Sequence, residues 1–193
     1  EKMNIPTILT ILRILSTPVI ILLMYLANIS SEISTALVMS SAILFAVAAI
    51  TDFIDGKLAR SKSQVTILGT FLDPIADKFM VCSVLITLVL IYASTSYSIL
   101  FTLLTTAVIS REILITGLRE WTARMGNEQV SSVSKSGKMK AGFQMTGITM
   151  LIVAPCSNST LFMQISIGVF GIGAILGLTS AYSYMKSSKE TFK

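Results

Sequence analysis

Residues 52–78 read DFIDGKLARSKSQVTILGTFLDPIADK, and long apolar runs flank them on both sides. Four of the chain's ten acidic residues fall in this stretch: Asp52, Asp55, Asp73 and Asp77. A carboxylate beside a bilayer core costs several kcal/mol unless it is paired, metallated or turned to an aqueous cavity. The stretch therefore marks two apolar helices meeting at a polar hollow, and a functional site is its default reading.

Outward from it, the composition is that of an integral membrane protein. Hydrophobic residues make up 53% of 193 positions and charged residues only 13%, against roughly 25% charged in soluble domains. The mean hydropathy is +0.78. A span needs about 20 residues, and six runs qualify: 7–27, 34–55, 71–93, 97–118, 140–157 and 161–185. The expected fold is thus an all-α integral membrane protein of six transmembrane helices, with residues 1–193 forming one membrane domain. Arg13 interrupts the first run, which leads straight into a multi-span pattern, so it does not read as a cleaved signal peptide.

Three connections, 28–33, 94–96 and 155–160, are short and nearly uncharged. All fifteen Lys and Arg lie on the other side: at the N-terminus and first helix, at 57–78, at 111–140, or after 185. By the positive-inside rule both termini and the connections at 56–70 and 119–139 are cytoplasmic. The net charge of +5 then describes a basic cytoplasmic face that attracts anionic headgroups and phosphorylated substrates. Nucleic acid is not an expected partner, because there is no basic soluble domain to hold it.

Histidine is absent, which removes a histidine base and histidine metal ligation. Cys82 and Cys156 sit in different contexts and suit neither a disulfide framework nor a zinc site. Two Asn-x-Ser/Thr matches, at Asn28 and Asn158, fall in short connections and read as polar turns. Gly168, Gly171, Gly173 and Gly177 in the last run permit close helix packing, within the bundle or at a homodimer seam.

Asp52 and Asp55, three apart, share one helix face, and Asp73 and Asp77, four apart, share another. Four carboxylates in one hollow repel one another unless cations intervene. Oxygen-only ligands select hard ions such as Mg²⁺ or Mn²⁺, and two such ions are the usual clamp for displacement at phosphorus. Gly56 and Ala59 are small enough for a base or phosphate to approach the backbone. Arg60 offers a guanidinium fork to phosphate oxygens, with Lys57 and Lys62 beside it. Gly69 stands at the mouth of the next helix, and Pro74 after Asp73 either opens that helix or kinks it. Plain ion pairs, Asp52–Arg60 and Asp73–Lys78, are the structural alternative, but they would not require small residues at set spacings.

The pattern Asp-x2-Asp-Gly-x2-Ala-Arg-x8-Gly-x3-Asp-x3-Asp resembles the signature of the CDP-alcohol phosphotransferases at every position, and six spans with cytoplasmic termini are also like that family. The resemblance implies that Asp52, Asp55, Asp73 and Asp77 hold two divalent metal ions and that Asp77 is also the proton acceptor. It implies that Gly56, Ala59, Arg60, Thr66 and Gly69 bind CDP-diacylglycerol. Three further segments, at 4–13, 111–120 and 137–145, are similar to bacterial members that use sn-glycerol 3-phosphate as acceptor. Thr7 and Ala141 depart from that pattern, where asparagine and threonine are common.

The implied place of action is a bacterial inner membrane, with the site facing the cytoplasm. Arg111, Arg119, Lys138 and Lys140 are cations at the cytoplasmic ends of the fourth and fifth spans, where an anionic acceptor would need them. Taken singly, each also fits a charge that merely sets topology. The alternatives are the same donor with serine, inositol phosphate or phosphatidylglycerol as acceptor. A divalent-cation transporter would instead carry its carboxylates near the bilayer midplane.

Overall fold

The computed structural model describes residues 5–29, 34–62, 67–125 and 135–188. It is all-helical among these: α1 (Ile5–Ile29), α2 (Thr35–Lys62), α3 (Ile67–Ile91), α4 (Ser98–Arg124), α5 (Lys135–Val153) and α6 (Thr160–Ser188), with a 3-10 turn at Ala154–Cys156. Among the described residues, four helices, α1, α3, α4 and α6, are long and apolar enough to cross a membrane by length and composition. α2 has a shorter apolar part among the described residues, Thr35–Thr51.

The helices outrun the apolar stretches at one end. α2 continues to Lys62 and α4 to Arg124, while α5 already begins at Lys135. Hydropathy registers only contact with hydrocarbon, whereas helical hydrogen bonding continues into polar surroundings. Pro74 lies inside α3 rather than opening it, so the hydrogen bond its N–H would have made is missing one turn upstream. Pro18 lies inside α1. In the turn before it, the hydroxyls of Ser16 and Thr17 both donate to the carbonyl of Arg13, at 2.9 and 3.0 Å, which satisfies both hydroxyls within their own helix.

α5 packs most extensively on α6, α1 rests on both α2 and α3, and α4 leans on α6 and α3. The α5–α6 seam depends on glycine. A Cβ at Gly147 would stand 2.7 Å from the Phe170 backbone, and one at Gly173 would stand 2.8 Å from the Gln144 backbone nitrogen. Gly168 faces open space instead. The core runs through Phe45, Met80, Val84, Leu88, Ile148 and Leu151, all buried. An aromatic row, Tyr92–Phe101–Phe170, has centroids 5.3 and 5.7 Å apart. The Tyr92 hydroxyl donates to the Leu151 carbonyl at 2.7 Å, which meets the need of a buried phenol for a partner.

That bond sets the C-terminal ends of α3 and α5 side by side. Gln164 donating to the Tyr97 hydroxyl at 2.9 Å does the same for the starts of α4 and α6. Ser159 caps α6 through the Phe162 N–H at 3.2 Å, and Asn158 before it takes a left-handed conformation, φ 48°. Asparagine tolerates that region, so this Asn-x-Ser/Thr match does the work of a tight turn. Outside the core, large apolar side chains such as Leu15, Ile99, Leu103, Ile113 and Ile175 are exposed. Such an apolar surface marks a multi-pass membrane protein, with the girdle meeting lipid.

Candidate active site

The polar residues gather at the opposite end of the bundle from the aromatic row. Asp52 and Asp55 lie in the continuous helix α2, and Asp73 and Asp77 in α3. The spacings of three and four thus hold as helical spacings. The side chains of Asp52, Asp55, Gly56, Ala59, Arg60, Gly69 and Asp73 lie outside the described residues, and so does Thr66 altogether. Asp77 is half-buried, with Ala76 fully buried beside it and Lys78 half-buried.

No group of three or more metal-ligating side chains occurs among the described residues, which include only one of the four aspartates. The donor chemistry nevertheless fits hard divalent ions: four carboxylates on two helices, both in contact with α1.

α1 turns a buried polar stripe inward: Thr7, Thr10, Arg13 and Thr17, at spacings of three, three and four. That periodicity holds one face of a helix, and α1 rests on the two helices that carry the aspartates. In the sequence the 4–13 segment stood out only as a likeness. Its tertiary role is to line the interior with hydroxyls and one guanidinium.

The cations expected for an acceptor are partly brought together. Arg111 on α4 donates through Nη1 to Glu112 Oε1 at 2.8 Å, and through Nε to the Gly177 carbonyl of α6 at 3.2 Å. Lys140 on α5 donates through Nζ to the same Glu112 oxygen. Its aliphatic stem lies along Gly177, where a Cβ would come within 3.4 Å of Lys140 Cε. All three charged side chains are nearly buried, at 11–15% exposed. Asp77 acts electrostatically on Lys140, and Cys82, one to two turns further along α3, lies in the field of both Asp77 and Glu112. The cluster therefore lies within electrostatic reach of the α3 carboxylate.

A narrow crevice between α4, α5 and α6 is lined by Val108, Arg111, Lys140, Gln144 and Gly173. Gln144 Oε1, buried there, has no hydrogen-bond partner among the described residues.

Arg119 stands apart from this cluster. It is eight residues on from Arg111, roughly 12 Å along a helix. Exposed, it lies over the Tyr184 ring at 5.8 Å, within cation–π range. The Lys138 side chain lies outside the described residues. Glu112 was missed in reading the sequence. The available signal was its being the one acidic residue between Ile99 and Arg119, inside an otherwise apolar helix.

Comparison with known proteins bears on this arrangement. Residues 3–177 match the family model described as CDP-alcohol phosphatidyltransferase. A CDP-diacylglycerol–glycerol-3-phosphate 3-phosphatidyltransferase of Shigella flexneri serotype 5b (strain 8401) is 36% identical over 188 residues, covering 97% of this chain and 96% of that protein. The protein of that name from Escherichia coli (strain K12) is 35% identical over 189 residues, with the same coverage. With the aspartate signature borne on α2 and α3 and the match running over nearly the whole chain, the chain belongs to the CDP-alcohol phosphatidyltransferase family.

Proposed function

We propose that this protein transfers the phosphatidyl group of CDP-diacylglycerol to sn-glycerol 3-phosphate, releasing CMP and forming phosphatidylglycerophosphate in anionic phospholipid synthesis. The observation that carries the acceptor is the convergence of Arg111 and Lys140 on one oxygen of Glu112, in a chain whose relatives are named for that acceptor. All six helices cross a bacterial inner membrane, with both termini and the basic end cytoplasmic. The apolar girdle keeps the donor's acyl chains in the bilayer while its headgroup reaches the polar end.

Asp52, Asp55, Asp73 and Asp77 hold two divalent ions, Mg²⁺ or Mn²⁺. When bound, these ions supply charge neutralisation and polarisation of the pyrophosphate. Gly56 and Ala59 leave room for the cytidine end of the donor, Gly69 does so at the start of α3, and Arg60 and Thr66 bond its phosphates. Arg111 and Lys140 receive the acceptor's phosphate, and Lys138 and Arg119 add positive charge to the same cytoplasmic end. Asp77 takes the proton from the acceptor's 1-hydroxyl. That oxygen bonds to the β-phosphorus as the bond to CMP breaks, and CMP leaves with the electron pair.

The test is CMP release by the purified protein in detergent, from labelled CDP-diacylglycerol and a panel of acceptors. Glycerol 3-phosphate should be fastest. A faster rate with serine, inositol phosphate or phosphatidylglycerol overturns the acceptor. A chelator should abolish release and Mg²⁺ or Mn²⁺ should restore it, so full activity in metal-free buffer overturns the metal assignment.

A further inference from the structure

We infer that Glu112 is a positioning residue for the acceptor's phosphate: its Oε1 holds the Arg111 guanidinium and the Lys140 ammonium together where α4, α5 and α6 converge. The inference rests on the acceptor reading above.

Three charged side chains inside apolar helices require a reason, and the bonding pattern supplies one. Both cations bond the same carboxylate oxygen, so their nitrogens stand no further apart than two hydrogen bonds. Two positive charges that near would drive each other away in a poorly solvated crevice, and the oxygen between them removes that repulsion. Each cation has a second anchor at Gly177: its carbonyl for Arg111 Nε, its missing side chain for the stem of Lys140. Three helices thus converge to set two donors side by side.

The donors are not exhausted by these bonds. Of the five N–H groups of a guanidinium and the three of an ammonium, the Gly177 and Glu112 contacts use two and one. Among the described residues nothing else takes the other three on Arg111 and two on Lys140, which suit the several oxygens of a phosphate dianion. A helix staple would need only one cation for one carboxylate. The shared oxygen instead fixes the spacing of a pair, and a phosphate reads that spacing.

Glu112→Gln keeps the shape and removes the charge. In steady-state CMP release it should raise the KM for glycerol 3-phosphate about tenfold while moving the KM for CDP-diacylglycerol less than about twofold. Glu112→Asp keeps the charge but draws the oxygen back by one carbon–carbon bond, and should fall between the two. Thermal unfolding in detergent is read alongside. An unchanged acceptor KM in folded Glu112→Gln overturns the inference. So does a loss shared by both substrates together with lowered melting, and so does an unfolded Glu112→Gln beside a Glu112→Asp of parental KM, since each would make Glu112 a staple only. A parent without release dependent on glycerol 3-phosphate overturns the acceptor reading itself, and this inference with it.

Discussion

Asp77 and Asp52 belong to one signature yet should respond differently to the loss of a single negative charge. Asp77→Asn removes the proton acceptor while leaving three carboxylates. Turnover should fall by about 10²–10⁴-fold, the usual contribution of a general base, with CDP-diacylglycerol binding largely kept. Asp52→Asn should weaken metal binding and turnover together, which isothermal titration with Mn²⁺ would show. A rate for Asp77→Asn within a few-fold of the parent would remove Asp77 as the base.

Arg111→Ala and Lys138→Ala should each raise the acceptor KM by about ten- to a hundredfold, since a charge-assisted bond is worth roughly 1.5–3 kcal/mol. The KM for CDP-diacylglycerol should stay put, because Arg60 serves that substrate. At this scale the helical spacing of the aspartates was legible in the sequence: Asp52 and Asp55 stand three apart on α2, and Asp73 and Asp77 four apart on α3. The pairing of Arg111 with Lys140 was not, because 29 positions separate them in the chain and only the α4–α5 approach brings Glu112 between them.

Among the elements, α5 and α6 show what glycine spacing can and cannot announce. Gly168, Gly171, Gly173 and Gly177 looked alike as a small-residue pattern, but the structure assigns them unlike duties. Gly173 and Gly177 admit the Gln144 backbone and the Lys140 stem, whereas Gly168 meets nothing within 4 Å. Gly147→Ala should destabilise the protein by about 1–3 kcal/mol, the cost of overpacking, because its Cβ would run into backbone that cannot swing aside. Gly168→Ala should lie within about 0.5 kcal/mol of the parent. Unfolding midpoints in detergent would separate the two, and equal effects would refute the seam as described. Gly168→Leu, measured by light scattering, would test whether that outward face is a homodimer seam. Helix ends were hard to read for a related reason: beyond the hydrocarbon, α2 and α4 lose their apolar signal without losing their hydrogen bonds.

For the whole molecule, the described cations Arg13, Lys78, Arg111, Arg119, Arg124, Lys140 and Lys186 all belong to the bundle end away from Tyr92 and Leu151, and this end should face the cytoplasm. With Cys82 and Cys156 replaced by alanine, Ser94→Cys and Ser157→Cys should react with an impermeant thiol reagent on intact cells. Ser63→Cys should react only after permeabilisation, and the reverse pattern would invert the orientation. Composition and periodicity by themselves determined that this is a helical membrane protein and that its four clustered aspartates stand three and four apart on two helices. Those properties rest on solvent preference and on 3.6-residue repeats, both local along the chain. Tertiary structure alone decided that α1 turns Thr7, Thr10, Arg13 and Thr17 inward, that α5 and α6 approach backbone to backbone at Gly147 and Gly173, and that Glu112 joins Arg111 to Lys140. These depend on which helix faces lie against each other. In an apolar environment that choice follows from close packing and from satisfying buried charge, neither of which a single helix carries in its own sequence.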